Sequence, residues 1–89
     1  MERLFSIAIF TPERMLFVGE ASSLVAPSEF GYLGILANHA PLMANLVVGK
    51  ISFKDSSGRQ TVIYSRDRGF LEVLENRVTL LLENAEVHS

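Results

Sequence analysis

The sequence predicts an all-β fold, a small two-sheet antiparallel β-sandwich of roughly 8–10 short strands. Apolar and polar residues alternate over short segments, which is typical of strands that bury one face. Glycine, proline, asparagine or aspartate interrupts these segments about every 8–12 residues. The connections are too short for crossover helices, which favours antiparallel pairing. No segment has a convincing amphipathic helical pattern.

Length and composition limit the chain to one small domain, residues 1–89. Hydrophobic residues make up 48% of the sequence, which is enough for a globular core and too much for a disordered chain. The formal net charge is −2 and the basic residues are scattered, which argues against a nucleic-acid partner. The sequence has no cysteine, so it can form neither a disulfide nor a thiolate metal site.

Alternating segments are predicted as strands along the whole chain. They cover residues 4–10, 15–18, 21–26, 42–48, 50–54, 61–65, 70–74 and 77–83, and the run that contains Gly31 and Gly34 also resembles a strand. We expect Gly19 to end the second strand and Pro27 the third, because proline cannot donate a ladder hydrogen bond and glycine weakens a strand. Turns are predicted at residues 11–14, 55–58 and 75–76, and residues 84–89 can form no more than an edge strand.

The inward positions of these strands predict the core. It is expected to contain Ile7, Ile9, Leu24, Ile51, Phe53, Val73, Val78 and Leu80. In the segment Leu42–Val48, by contrast, both faces are apolar, and a domain of this size cannot cover both faces everywhere. Excess apolar surface of this kind indicates a protein partner.

A membrane helix is a weak alternative for the central part of the chain. No formal charge lies between Glu29 and Lys50, and that span is about the ~20 residues a membrane helix needs. Glycines and Pro41 would break such a helix, and Asn38 and His39 would place polar groups in hydrocarbon. We therefore expect no direct membrane insertion.

His39 is the only histidine away from the chain terminus, but the sequence marks no catalytic or metal site around it. Neither an orienting carboxylate and nucleophile nor a second histidine at ligand spacing accompanies it. We interpret it as a loop histidine whose ring nitrogens bond backbone groups. The predicted function therefore involves no catalytic residue, no cofactor and no metal.

Several motifs resemble the epsilon subunit of F-type ATP synthases. The motifs are Thr11–Arg14, Gly31–Leu36, Asn38–Leu42, Gly69–Val73, Asn76–Leu81 and Ala85–Glu86. They cover nearly the whole chain in order, and the combination of Gly-x-Leu-Gly-Ile with His-Ala-Pro-Leu is specific. The resemblance implies a non-catalytic β-sandwich in the rotating central stalk, which links the gamma subunit to the membrane ring of c subunits and couples proton flow to ATP synthesis.

The resemblance also implies where the partners bind. The contact with the c-ring falls on Ser28, Glu29, Phe30, Gly31 and Tyr32, and the contact with gamma falls on His39, Ala40, Pro41 and Leu42. The implied location is peripheral, on the cytoplasmic or equivalent face of the energy-coupling membrane. We expect the isolated chain to be monomeric.

The sequence departs from the family pattern in three ways. Tyr32 replaces an acidic residue that is common in the ring-facing loop, and Arg66–Arg68 replaces a small Gly-Gly turn. Most members continue into a C-terminal helical hairpin, whereas this sequence ends at Ser89, so we expect a constitutive rotor part without an inhibitory conformer. The alternatives are a stand-alone adaptor that binds a peptide along an exposed edge and, third, a small hydrolase that uses His39.

Overall fold

The computed structural model describes residues 3–88, which form nine β-strands and no helix. The strands are β1 Phe5–Phe10, β2 Met15–Ser28, β3 Gly31–Leu36, β4 Leu42–Leu46, β5 Gly49–Asp55, β6 Gln60–Ser65, β7 Gly69–Leu74, β8 Arg77–Leu82 and β9 Ala85–Val87. The described part of the chain has no helix that is long and apolar enough to cross a membrane. The predicted all-β fold is confirmed.

The strands form two layers that share β2. One layer contains β4, β7, β8, β1 and the first half of β2, and the other contains β3, the second half of β2, β5, β6 and β9. Hydrogen bonds connect all nine strands, because β2 pairs with β1 at its beginning and with β3, β4 and β5 towards its end.

The expected ends of strands at Gly19 and Pro27 are wrong, because β2 runs without a break through both residues for 14 positions. Gly19 pairs with Ile7 and Pro27 with Tyr32. Proline is tolerated because the hydrogen bond at this position uses its carbonyl oxygen and not an N–H group: the N–H of Val47, just after β4, donates to it at 2.9 Å.

A bulge in the middle of β2 carries the strand from one layer to the other. The pairing with β5 shifts register between Ala21 and Ser23, and both Ala21 and Ser22 lie in the interior. A bulge bends its strand and increases the twist, which a strand needs in order to turn from one layer into the next.

The expectation of purely antiparallel pairing is also wrong at one place. β1 and β8 are parallel, with Ser6 opposite Arg77 and Phe10 opposite Leu81. Short connections force antiparallel pairing only between strands that follow each other in sequence. Between β1 and β8 the chain first forms six other strands, so no crossover helix is needed.

The core lies between the layers and contains all eight residues predicted for it, each at most 2% exposed. Further buried residues from both layers complete it: Phe5, Ala21, Ala26, Ile35, Leu46, Ile63, Leu71 and Leu82. Burying side chains of this size stabilises by about 1.5–3 kcal/mol each relative to exposure. The core thus depends on β-strands from both layers.

The predicted turns at residues 55–58 and 75–76 are present. Glu75 and Asn76 both have positive φ (50° and 59°), the conformation of a type I′ hairpin turn. In the other turn the Asp55 carboxylate accepts hydrogen bonds from the Ser57 hydroxyl at 2.6 Å and from the N–H groups of Ser57 and Arg59 at 3.0 Å. The Ser57 hydroxyl, assisted by these N–H groups, lowers the pKa of Asp55.

Replacing Gly69 by alanine is expected to destabilise the fold. The added methyl group would lie 2.7 Å from the backbone oxygen of Leu81 and 2.7 Å from a methyl carbon of Leu82, so the β7–β8 pair would have to move. Overpacking of this kind costs about 1–3 kcal/mol. Gly34→Ala is the matched control, because its methyl group would meet nothing within 4 Å. Urea unfolding measures both, and equal stability of the two variants would contradict this packing.

The β5–β6 hairpin is expected to weaken in acid. A carboxyl with a lowered pKa in the folded state adds stability above its unfolded pKa, and this stability is lost as the pH falls through the lower folded pKa, below about 4. The N–H groups of Ser57 and Arg59 should then lose protection, which NMR measures as their exchange rate relative to the intrinsic rate at the same pH. Asp55→Asn should abolish this pH dependence; its persistence in that variant would exclude Asp55 as the cause.

Candidate protein-binding site

The residues predicted to face the c-ring form the turn between β2 and β3. Glu29 and Phe30 keep negative φ and Gly31 has a φ of 115°, the pattern of a type I turn followed by glycine. The Ser28 hydroxyl donates to the carbonyl oxygen of Gly31 at 2.6 Å and accepts from the N–H of Phe30 at 3.2 Å. Ser28 is only 5% exposed, so it shapes the turn and offers little surface to a partner.

Phe30 is the side chain that this turn presents to solvent. It is 93% exposed, although the transfer of an aromatic ring out of water is favourable. Glu29 beside it is held on β4: its carboxylate accepts from the side-chain amide of Asn45 at 3.3 Å, and its N–H donates to the carbonyl oxygen of Asn45 at 3.1 Å. The tip is therefore a fixed turn with an unsupported aromatic ring.

Tyr32 lies on β3 rather than at the tip and packs against the protein itself. A methyl group added to Gly49 would lie 2.9 Å from the Pro27 side chain and 3.3 Å from the Tyr32 hydroxyl, so both residues contact the backbone at Gly49. Tyr32 nevertheless remains 63% exposed. It belongs to the outer face of the second layer, directly opposite Pro27.

The residues predicted to face gamma form the loop between β3 and β4. Nδ1 of the half-buried His39 lies 2.7 Å from the carbonyl oxygen of Ala40, which agrees with the interpretation of a loop histidine that bonds the backbone. Ala40 and Pro41 are exposed. Leu42 is half-buried against the core, so only part of its surface is available to a partner.

Asn76, which sequence reasoning placed only in a turn, holds this loop in position. Its Oδ1 accepts from the N–H of Asn38 at 2.7 Å, and its Nδ2 donates to the carbonyl oxygen of Leu4 at 3.0 Å. Its backbone oxygen accepts from the N–H of Ser6 at 3.1 Å. One side chain therefore connects the loop, the β7–β8 turn and the beginning of the chain. The only signal in the sequence is the asparagine in a predicted turn, a residue that tolerates the left-handed conformation observed here.

The two predicted contact segments lie at opposite ends of β3. The structure brings the first of them together with β4: a cavity of about 280 Å³ is lined by Phe30, Leu33, Leu42 and Met43 among others. Met43 is 66% exposed, and Val47 and Val48 beyond it are 40% and 64% exposed. The apolar surface predicted for residues 42–48 is therefore present, next to the turn.

A second apolar surface was not foreseen from the sequence. Phe70, Leu81, Phe10 and Met15 are successive neighbours across β7, β8, β1 and β2 on the outer face of the first layer. Leu81 and Met15 are 51% and 57% exposed, and an open cavity of about 430 Å³ lies along this row. Leu81 interrupts the alternation of its strand, which was the only available signal.

The described residues offer no group of acidic, histidine or cysteine side chains arranged for a metal ion. Arg66 forms an exposed ion pair with Glu86 at 3.2 Å and lies 5.9 Å from the centre of the Tyr64 ring. Exposed pairs of this kind contribute about 0–1 kcal/mol. Residues 66–68 thus form a surface loop from which Arg66 pairs with Glu86 of β9.

Comparisons with known proteins agree with the resemblance found in the sequence. Residues 4–88 match the family model of the ATP synthase delta/epsilon chain β-sandwich domain. The chain is 41% identical over 85 residues to the ATP synthase epsilon chain of Dichelobacter nodosus, with 96% of this chain and 59% of that protein covered. It is 42% identical over 83 residues to the ATP synthase epsilon chain of Symbiobacterium thermophilum, with coverages of 92% and 58%. It therefore spans less than two thirds of the length of these curated relatives.

Two solved structures share the fold. One is a chain in the mitochondrial ATP synthase of Euglena gracilis, a structure of OSCP, F1 and the c-ring, with a TM-score of 0.84 and 16% identity over 91% of this chain and 51% of that one. The other is a chain in the central stalk and c-ring of the Tetrahymena thermophila mitochondrial ATP synthase, with a TM-score of 0.78 and 14% identity over 96% of this chain and 67% of that one. At these identities the likeness shows the fold alone.

Asn76→Gly is expected to loosen the loop that contains His39. Glycine tolerates the φ of 59° but cannot bond Asn38 or Leu4, and losing such hydrogen bonds costs about 1–2 kcal/mol. Urea unfolding should show the lower stability, and amide exchange should show faster opening at Asn38. The control is Glu75→Gly, at a φ of 50° in the same turn, which should leave both unchanged. Equal effects of the two substitutions would mean that the Asn76 side chain does not hold the loop.

Proposed function

Because the chain belongs to the family of ATP synthase delta/epsilon chain β-sandwich domains, we propose that it is a non-catalytic part of the central stalk, placed between the gamma subunit and the c-ring. The match of the family model over residues 4–88 is the observation that carries this proposal. The ATP synthase structures of Euglena and Tetrahymena named above, which include the c-ring, contain chains of the same fold. In this function the domain couples proton flow to ATP synthesis at the surface of the membrane, as a peripheral subunit.

The turn of residues 28–32 is proposed to contact the c-ring. This proposal is supported by the exposed ring of Phe30. The turn that carries the ring is held by hydrogen bonds from Ser28 and from Asn45. Because hydrogen bonds already hold the turn, binding has to order only the Phe30 side chain, and aromatic residues often dominate interface energies. Tyr32 contributes less in this account, since part of its surface already packs against Pro27 and Gly49.

The segment of residues 39–42 is proposed to contact gamma. Ala40 and Pro41 are exposed, and a shallow groove of about 290 Å³ runs from Pro41 past Met43 to Leu74. Met43 and Leu74 are 66% and 47% exposed, so apolar surface continues beyond the segment. Because Asn76 holds the preceding residue, the segment needs little reordering when it binds.

The proposed role transmits force and contains no chemical step. A part that carries torque between two partners must resist local opening, and here both contact segments are tied to β-strands by hydrogen bonds. A deformable loop at either segment would dissipate rotation instead of passing it on. The hydrogen bonds of Ser28, Asn45 and Asn76 are the features that supply this stiffness.

Phe30→Ala is expected to weaken the association of the stalk with the ring by about tenfold or more without changing the stability of the isolated chain. The side chain is 93% exposed, so its loss removes no contact of the fold. Met15→Ala is the control for lost apolar surface, at 57% exposure outside the turn. Binding of the chain and gamma to purified c-ring measures the effect. If Phe30→Ala binds the ring as tightly as the parent, the assignment of this turn is wrong.

Membrane vesicles test the function as a whole. ATP synthase reassembled without this subunit should lose a large part of its ATP-driven proton pumping, because gamma is then poorly coupled to the ring. Adding the parent chain should restore pumping, whereas adding Phe30→Ala should restore it only in part. Full pumping without the subunit, measured at equal ATP hydrolysis, would contradict the proposed function.

A further inference from the structure

β3 has one edge without a partner strand. It pairs with β2 along its whole length, and none of the other described strands pairs with its second side. The strand carries no charged residue, since its sequence is Gly-Tyr-Leu-Gly-Ile-Leu. An uncharged edge of this length is a ready template for another strand.

The direction of the free hydrogen-bonding groups follows from the pairing of β2. The carbonyl of Pro27 and the N–H of Glu29 bond residues in β4 and just after it, on the side of β2 that lies opposite β3. Neighbouring residues of a strand point their backbone groups to opposite sides. The N–H and carbonyl groups of Ser28 and Ala26 therefore point towards β3, where they face Gly31 and Leu33. The direction of the backbone groups also alternates along β3. Tyr32 and Gly34 therefore point both their N–H and their carbonyl groups to the free edge, and Leu36 points its N–H group there.

The other outer strand of the second layer, β9, shows how an edge is protected. β9 is three residues long and carries Glu86, which pairs with Arg66. Short length and charge are the usual means by which proteins prevent strands from adding to an edge. β3 is six residues long and has neither of these protections, nor a proline. The edge of β3 is therefore open to the addition of a further strand.

The surroundings of β3 define what a partner strand would look like. On the outer face of β3, Gly34 has no side chain, and no atom lies within 4 Å of the position that a Cβ would occupy. This leaves a gap between the side chains of Tyr32 and Leu36, which are 63% and 64% exposed. On the other face of β3, Leu33 borders the cavity shared with Met43 and Phe30. A fitting segment is extended and uncharged, with apolar side chains that enter the gap on one face and the cavity on the other.

We propose that the free edge of β3 binds an extended, uncharged segment of the gamma subunit as an additional β-strand. The inference rests on the proposed function, in which β3 connects the turn that faces the ring to the loop that faces gamma. A partner that contacts the loop of residues 39–42 lies at the end of this edge, so an extended segment of the same partner can continue along β3. Backbone hydrogen bonds to Tyr32 and Gly34 would then add to the side-chain contacts at the loop.

Amide exchange in the complex tests the proposal directly. The chain labelled with nitrogen-15 is measured by NMR alone and with the unlabelled gamma subunit of the same ATP synthase. The N–H groups of Tyr32 and Gly34 should exchange rapidly in the free chain and at least about 100-fold more slowly in the complex. Those of Leu33 and Ile35, already directed to β2, are the internal control and should be protected in both samples.

A pair of substitutions at Gly34 separates backbone from side-chain effects. Gly34→Pro removes the outward N–H without removing a bond to β2, and it should weaken gamma binding about tenfold. Gly34→Ala keeps the N–H and meets no neighbour within this chain, so it measures the effect of a methyl group in the gap alone and should weaken gamma binding much less than Gly34→Pro, by about twofold. Thermal unfolding establishes that each variant is folded, and the exchange measurement on the parent chain decides the question if the proline variant is not.

The outcomes distinguish this inference from the function on which it rests. A gamma complex in which Tyr32 and Gly34 still exchange rapidly overturns the added strand but leaves the proposed function intact. Absence of any complex with gamma overturns both. Protection of the two N–H groups that grows with the concentration of the chain alone would assign the edge to a second copy and overturn the inference.

Discussion

The fold depends on the continuous pairing of β2, the one strand that is hydrogen-bonded in both layers. Its first half is antiparallel to β1, and its second half lies between β3 and β5. The bulge between Ala21 and Ser23 allows this change of partners without a break in the strand. Without β2 the two layers would share a core, but no pairing between described strands would connect them.

Because β2 ends at the turn that presents Phe30, it also positions the candidate site. The carbonyl of Pro27 accepts from Val47, just after β4, and the N–H of Glu29 in the turn donates to Asn45 of β4, so the turn is fixed to both layers at once. At the other end of β3, Asn76 fixes the loop of residues 39–42 to the first layer. Two surfaces held in this way keep their separation and orientation, which the proposed role between two partners requires.

Much of the fold was predictable from the sequence, because one buried face imposes alternation on every strand. The core residues follow from that alternation, as Ile51 and Leu80 illustrate. Gly19 and Pro27 were misleading because local propensity yields to tertiary pairing, which no local pattern reports. The segments at Phe30 and His39 came from the family resemblance. The buried position of Ser28, the anchoring by Asn76 and the row of Phe10, Phe70 and Leu81 depend on which strands become neighbours, and the sequence does not display that.

Native-state amide exchange at low denaturant concentrations tests whether β2 makes the two layers unfold as one unit. The slowest N–H groups before Ala21 and after Ser23 should open with the same free energy, equal to that of global unfolding. The same value should hold in β5 and β8, which represent the two layers. If one half of β2 opens at a free energy at least about 2 kcal/mol lower than the other, the layers unfold separately and the account is contradicted.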